Sequence, residues 1–225
     1  MSHELRTPLN GIIGFSELMY HEQAGALPEI YKEYVGDILS CAKQLLRLIN
    51  DILDLSKIES GKMKFYPSAI DVKELLNEVF NTLKISITKK NIVTTISIDP
   101  IIEKLVLDPT RLKQVFYNYL SNAIKFTPEH GYVKARILPE DDDFFRFEVE
   151  DSGIGIPDKD KNKLFIEFQQ LYESISKKYQ GTGLGLSLTK YIVEAQGGRV
   201  GFSSVKSKGS IFYAVLPKIY STKDS

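Results

Sequence analysis

The sequence predicts an α+β chain, a helical hairpin followed by a two-layer α/β sandwich, on three observations. Residues 29–59 carry apolar side chains in alternating steps of three and four, the period of a long amphipathic helix. Ser60-Gly61-Lys62 ends that period, as glycine past a helix does. Beyond it, stretches alternating every second residue are interleaved with stretches of helical period, the pattern of strands and helices packed in layers. Two domains follow, residues 1–60 and 61–225.

The first helix is expected over Ser2 to Tyr20. It places Leu5, Leu9, Ile12 and Met19 on one face and His3, Thr7, Asn10, Gly11 and Gly14 on the other. Pro8 cannot donate to the carbonyl of Glu4, which loosens the backbone just after the histidine. Taken alone, His3 reads as the solvated end of a helix. Gly25 and Pro28 make His21 to Pro28 a loop. In the second helix, from Glu29 to Glu59, Val35, Ile38, Ala42, Leu45, Ile49 and Ile52 form a seam that Leu39, Leu46, Leu53 and Leu55 widen. Two helices cannot cover so wide a stripe, so a dimer forming a four-helix bundle is expected. At about 1.5 Å per residue the second helix is roughly 46 Å long and the first about 28 Å. That mismatch leaves Ile49, Ile52 and Leu53 overhanging, and the first helix is expected to begin some way earlier in a longer chain.

In the second domain, Met63 to Tyr66 reads as a strand and Val72 to Ile87 as an amphipathic helix. Ile92 to Ile98 and Leu105 to Leu107 read as strands, and Pro109 to Phe126 as a helix with proline in its first turn. Gly131 to Leu138 and Phe144 to Glu150 alternate as strands around Glu140-Asp141-Asp142-Asp143, a solvated turn. Gly185 to Gln196 is helical, and Arg199 to Ser204 and Gly209 to Leu216 close the domain as strands.

Composition narrows the function. Twenty-nine basic and 29 acidic residues cancel, which gives no electrostatic case for nucleic acid or a membrane surface. No apolar run approaches the roughly 20 residues that span a bilayer. Cys41 is the single cysteine; it is read as packing beside the apolar seam, in a cytoplasmic setting.

Three segments can carry chemistry. Asn118 and Asn122 share a helix face, with Lys125 a turn further on. Amide oxygens ligate hard cations and an ammonium neutralises phosphate, although two asparagines on a solvated face are equally ordinary. Asp151-Ser152-Gly153-Ile154-Gly155-Ile156-Pro157 follows a strand. Its glycines let backbone approach a flat ligand and its carboxylate can accept from an exocyclic amine; a plain glycine turn is the simpler reading. Gly181-Thr182-Gly183-Leu184-Gly185-Leu186 opens a helix, where bare amides seat phosphate, but alone this G-x-G-x-G is weak. The stretch Asp158 to Gln180 suits a lid anchored by Leu164-Phe165-Ile166-Glu167-Phe168.

In this order the segments resemble the sensor histidine kinases of two-component signalling, over Ser2 to about Pro217. Ser2 to Pro8 resembles the H box and Asn118 to Thr127 the N box. Asp151 to Pro157 resembles the first glycine box, Phe165 to Phe168 the F box and Gly181 to Leu186 the second glycine box. The resemblance implies a dimerisation and phosphotransfer hairpin followed by a Bergerat-type ATP-binding domain. It implies His3 as phosphoacceptor, Glu4 as the group that holds or deprotonates its ring, and Thr7 as a water-orienting residue in regulator dephosphorylation. It implies that Asn122, with Asn118, holds Mg²⁺, that Lys125 meets phosphate and that Asp151 reads the adenine amine. Gly153 and Gly155 would shape the adenine pocket, Phe126 and Ile156 would flank the base, and Gly181, Thr182, Gly183, Leu184, Gly185 and Leu186 would hold the phosphate tail. The implied partners are a second copy of the chain and a receiver domain of a response regulator, and the chain is expected to be the cytosolic part of a larger sensor. Lys177 and Gln180 stand where related kinases often have arginine and glycine, so slower lid closure is expected. Related folds serve topoisomerases, mismatch-repair and chaperone ATPases and serine-directed kinases, and the H-box hairpin argues against all of these; a nucleotide-binding dimerisation scaffold without turnover is a further alternative, in which His3→Ala would leave every activity unchanged.

Overall fold

The computed structural model describes residues 2–23, 25–169 and 183–220, with side chains described from residue 5 onward. The chain divides into two compact units, Met1–Gly61 and Lys62–Ser225.

In the first unit, α1 (Ser2–Tyr20) and α2 (Glu29–Glu59) form an antiparallel hairpin. The Arg6 guanidinium donates to Asn50 at 3.1 Å near one end, and Lys43 pairs with Glu17 near the other. Leu9 and Ser16 on α1 pack against a stripe of α2 that buries Val35, Leu39 and Ala42. The expected single seam is therefore split. Leu5, Ile12 and Met19, seven residues apart on α1, are 50%, 48% and 40% exposed, and Ile38, Leu45 and Ile52 on α2 are 50%, 49% and 47% exposed. A helix has one face toward its hairpin partner, and these two heptad-spaced stripes lie beside it. Of the three side chains expected to overhang, Ile52 is exposed while Ile49 and Leu53 are half-buried. Cys41, expected to pack, is exposed instead, because its neighbour Ala42 takes the position facing α1.

The second unit runs β1 (Ser68–Ile70), α3 (Val72–Lys89), β2 (Val93–Ile98), β3 (Leu105–Leu107), α4 (Pro109–Phe126), β4 (Tyr132–Pro139), β5 (Phe144–Asp151), a 3-10 helix (Asp158–Lys163), α5 (Gly185–Ala195), β6 (Arg199–Val205) and β7 (Gly209–Pro217). The main sheet has the order β2-β4-β5-β7-β6, with β2 parallel to β4 and every other pair antiparallel. Alternation sorts its two faces. Val133, Ala135 and Ile137 of β4 and Phe145, Phe147 and Val149 of β5 are buried on one face. On the other, Arg136 pairs with Glu148 and Glu150, and Lys134 with Glu150. The helices cover the apolar face, giving the two-layer sandwich. α4 supplies Leu112, Val115, Phe116, Tyr119 and Leu120, with the Phe116 ring 4.2 Å from that of Phe147. The Tyr119 hydroxyl donates to the Tyr213 carbonyl at 3.2 Å. Both α3 and α4 begin on an aspartate cap, Asp71 and Asp108, each accepting two first-turn amides.

One expected strand is displaced. Met63 to Tyr66 is irregular and the strand is Ser68–Ile70, paired with Leu105–Leu107. The Tyr66 amide donates to the Asp108 side chain at 2.9 Å instead of to a ladder, and Pro67 interrupts the run. The acidic turn is built as a turn: one Asp141 oxygen accepts from the amides of Asp143 and Phe144. Among the described residues no helix is long and apolar enough to cross a membrane, and no group of His, Cys, Asp and Glu could hold a metal ion.

Candidate functional site

The C-terminal half of α4 organises the site in the second unit. On one side it meets α5. The Asn118 amide nitrogen donates to the Gly185 carbonyl at 3.1 Å and to Thr189 Oγ1 at 3.0 Å. Asn118 thus locks α4 to the first turn of α5, which limits what it can offer a ligand to its Oδ1. Asn122 and Lys125 lie further along α4, both half-buried. Lys125 sits with its ammonium 4.9 Å from the Phe126 ring centroid, and burial lowers its pKa from the ordinary lysine value.

On the other side α4 meets the loop after β5. The Ile154 amide donates to the Phe126 carbonyl at 3.4 Å. Gly153 passes so close that a Cβ there would stand 2.8 Å from that same carbonyl oxygen and 2.5 Å from an Asp151 carboxylate oxygen. Asp151, at the end of β5, is 6% exposed. Burial pushes its carboxyl up to about 6, against the Gly153 and Ser210 amides that draw it down; the Gly153 amide lies 2.8 Å from Oδ1. Gly155 has a left-handed backbone, φ 61°, and a Cβ there would strike the Val205 carbonyl. Ile156 is 7% exposed, its amide bonded to Ser204 Oγ at 2.9 Å.

The third wall is the start of α5. Its N-cap, Leu184, makes no side-chain capping bond, so the first-turn amides are unsatisfied by the helix and form a positive end. Gly183, φ 73°, presses against the Phe168 backbone, and Leu184 is buried while Leu186 is half-buried. Of the expected lid, Asp158–Lys163 is a 3-10 helix and Leu164 is buried, but Ile166 and Phe168 are 52% and 60% exposed. Glu167 is held by the Tyr191 hydroxyl at 2.9 Å.

The fold therefore brings Asn118, Asn122, Lys125, Phe126, Asp151, Gly153, Gly155, Ile156, Gly183, Leu184, Gly185 and Leu186 into one unit, along three adjoining segments. Lys177, Gly181 and Thr182 lie outside the described residues. His3, Glu4 and Thr7 belong to α1 of the other unit; the side chains of His3 and Glu4 lie outside the described residues, and Thr7 is exposed. Sequence reading missed Ser204, which bridges the Ile156 amide, the Gly209 carbonyl and Ser210. It also missed Lys90, whose ammonium is bonded to the end of α4. Neither carries a local sequence signal, since each acts across a sheet or between helices.

Gly209 at the start of β7 gives a direct test of how tightly the site is packed. Its φ is 98°, and a Cβ would strike the Asp151 carbonyl. Gly209→Ala is expected to destabilise the unit by about 1–3 kcal/mol, the usual cost of such backbone strain. An unchanged denaturation midpoint would overturn that expectation.

Residues 107–219 match the family model described as histidine kinase-, DNA gyrase B-, and HSP90-like ATPase, and residues 1–61 match the His Kinase A phospho-acceptor domain. The chain is 41% identical over 220 residues to a protein from Synechococcus elongatus, circadian input-output histidine kinase CikA, covering 97% of this chain and 29% of that one. The solved structure of full-length ShkA in complex with AMPPNP is similar at a TM-score of 0.80 and 28% identity, covering 98% of this chain and 45% of that one. Histidine kinase ThkA in complex with the response regulator protein TrrA is similar at a TM-score of 0.64 and 28% identity, covering 96% and 59%. The chain spans less than a third of the length of the cyanobacterial relative.

Proposed function

Because this chain belongs to the sensor histidine kinases, with an ATPase-type second unit and a phospho-acceptor first unit, we propose that it binds Mg·ATP and transfers the γ-phosphoryl group to His3. The observation that carries the reading is the convergence of Asn118, Asp151 to Gly155 and Gly183 to Gly185 around one end of α4. The residues fit a nucleotide. Glycines at 153 and 155 leave no room for a Cβ beside the backbone they approach. Asp151 presents a buried carboxylate for the adenine amine, with Phe126 and Ile156 beside the base. The first-turn amides of α5 present positive ends to phosphate, and Lys125 adds an ammonium; Gly181 and Thr182, outside the described residues, are assigned to the phosphate tail by the family resemblance alone. Lys177, outside the described residues, is assigned to ATP binding by the family resemblance alone. Asn122, with Asn118 Oδ1, would hold Mg²⁺, which would supply neutralisation of the phosphate charge.

In the transfer step a ring nitrogen of His3 bonds to the γ-phosphorus as the β–γ bridging oxygen leaves with ADP, and Glu4 takes or holds the proton on the other ring nitrogen. The phosphoryl group then passes to an aspartate carboxylate of a response regulator. ThkA, solved with such a regulator, supports this partner. Thr7, exposed on α1 one turn after His3, would orient water for hydrolysis of the regulator's phosphoryl group. The piece of chain in hand is read as the cytoplasmic part of a larger sensor. Incubation with γ-labelled ATP tests the reading: acid-labile, base-stable label on the protein supports it. Acid-stable label or free phosphate alone sinks it in favour of a serine-directed kinase or a simple ATPase.

The split seam of the first unit supports the homodimer. Leu5, Ile12 and Met19 with Ile38, Leu45 and Ile52 present two seven-residue stripes, and packing them against a second hairpin completes a four-helix bundle. Burying one leucine contributes about 1.5–3 kcal/mol, and Leu45 would appear twice in a symmetric interface. Leu45→Arg is expected to raise the dimer dissociation constant by at least about a hundredfold. Sedimentation equilibrium checks it; a dimer of undiminished affinity rejects this interface.

A further inference from the structure

We propose that Lys90 is a positioning residue for phosphate recognition, its ammonium fixing the last turn of α4 that carries Asn122 and Lys125. The proposal rests on the reading of α4 as the metal- and phosphate-binding helix and names a residue that reading does not contain. Lys90 follows α3 directly, and its Nζ lies 2.8 Å from the Ile124 carbonyl, 2.7 Å from that of Lys125 and 2.8 Å from that of Thr127. An ammonium has three N–H donors, and these three carbonyls match them. Its backbone is fastened to the same loop, since the Lys90 carbonyl accepts from the His130 amide at 2.9 Å.

The carbonyls at the end of α4 show why a remote lysine is needed. A helix leaves its last four carbonyls without intrahelical partners, and the usual remedy is a left-handed glycine just past the end. Here the C-cap is Thr127 with an extended backbone, ψ 132°. Its amide and its hydroxyl both return to the Ala123 carbonyl. The Phe126 carbonyl is taken by the Ile154 amide from the loop after β5. The carbonyls of Ile124 and Lys125, and that of the cap itself, go to Lys90. A cation at this end also complements the helix dipole. Pro128 holds Thr127 extended and ends α4 there; the Lys90 ammonium, just past α3, then takes the carbonyls left open, and the Lys125 peptide is held by that bond. The adenine side is held separately, by the Ile154 amide on the Phe126 carbonyl.

Lys90→Met keeps the length and removes the donors. In the full chain, its KM for Mg·ATP is expected to rise about tenfold with the saturating rate of autophosphorylation within about threefold of wild type, the pattern of lost ground-state binding. Affinity for adenosine, measured by calorimetry, stays at the wild-type value, because the loss falls on the phosphate end. Lys90→Gln, which keeps two donors, gives an intermediate loss, and it serves as the test if Lys90→Met does not fold. A purely structural lysine would lower the unfolding temperature and leave both affinities of the folded protein unchanged, or weaken ATP and adenosine equally; either result overturns the proposal. Failure of the wild-type chain to bind ATP at all would instead defeat the underlying nucleotide reading, so the two failures are distinct.

Discussion

His3→Ala is expected to bring acid-labile phosphoryl label down to background while leaving ATP affinity near the wild-type value. The two halves of this result come from the division of the chain. His3 belongs to a unit that ends at Gly61 and the nucleotide-site residues belong to the other, so removing the imidazole takes away the nucleophile without touching the groups that hold the substrate. Without a nucleophile no covalent phosphoryl intermediate forms, and positioning and charge neutralisation have nothing to act on. The chain has two other histidines, His21 and His130, and they sharpen the experiment. His21 lies in the turn after α1, and His130 has a left-handed backbone, φ 62°, in the loop before β4. Label that survives His3→Ala but vanishes in His21→Ala or His130→Ala would show that the acceptor was misassigned. Loss of ATP binding in His3→Ala would show that the two units do not act as separate acceptor and donor. Glu4→Gln is the companion variant. A general base contributes about a hundred- to ten-thousandfold, so its label accumulates slowly and does not disappear.

How much of this was legible beforehand follows from which interactions are local. Helix ends were readable where their signals are neighbours in sequence: Pro109 in the first turn of α4 and Gly61 just past α2 mark those ends within two residues. Strands β4 and β5 were readable because burial alternates along most of their length, as Val133, Ala135 and Ile137 do. The displaced strand β1 was not, because Tyr66 is held by Asp108, 42 residues on, and nothing near Met63 records that. The split of the hairpin seam was also hidden. Periodicity tells which residues are apolar, and a stripe facing the neighbouring helix looks the same as one beside it until the hairpin packs. At the site, the glycines and Asp151 announce themselves because close backbone approach demands particular residue types. Asn118 shows the limit: its spacing from Asn122 suggested a shared ligand, whereas the fold commits its amide nitrogen to Gly185 and Thr189. Lys90 left no trace, since a lysine after a helix is ordinary and its three carbonyls lie 34 to 37 residues downstream.

Asp151→Asn is expected to weaken ATP binding by roughly 10- to 150-fold, the equivalent of about 1.5–3 kcal/mol for a lost hydrogen bond to a charged group, and to abolish the pH dependence of that binding. Burial raises the wild-type carboxyl from 3.8 to about 6, so near neutral pH it is ionised in spite of its surroundings. The carboxyl accepts from the Gly153 amide on Oδ1 and also from the Ser210 amide; a carboxylate has about four lone-pair sites, and one of those remaining is the acceptor proposed for the adenine amine. Protonation turns that acceptor into a competing donor, so affinity for ATP is expected to fall as pH drops through about 6. An asparagine that keeps its oxygen on Gly153 presents an amide nitrogen to the adenine amine at every pH, donor against donor, which weakens binding without a titration. Stability of the nucleotide-free protein moves in the opposite sense. A carboxyl whose folded pKa lies above its unfolded value favours the fold while protonated, so its contribution is fully present below pH 3.8 and is lost as pH rises through about 6. Bound ATP should reduce that loss by giving the carboxylate a partner. Titrating ATP affinity from pH 5 to 8, alongside unfolding with and without nucleotide, separates these effects. A wild-type affinity that is flat across pH 6, or an Asp151→Asn protein that binds as well as wild type, would remove Asp151 from adenine recognition and leave its burial a feature of packing alone.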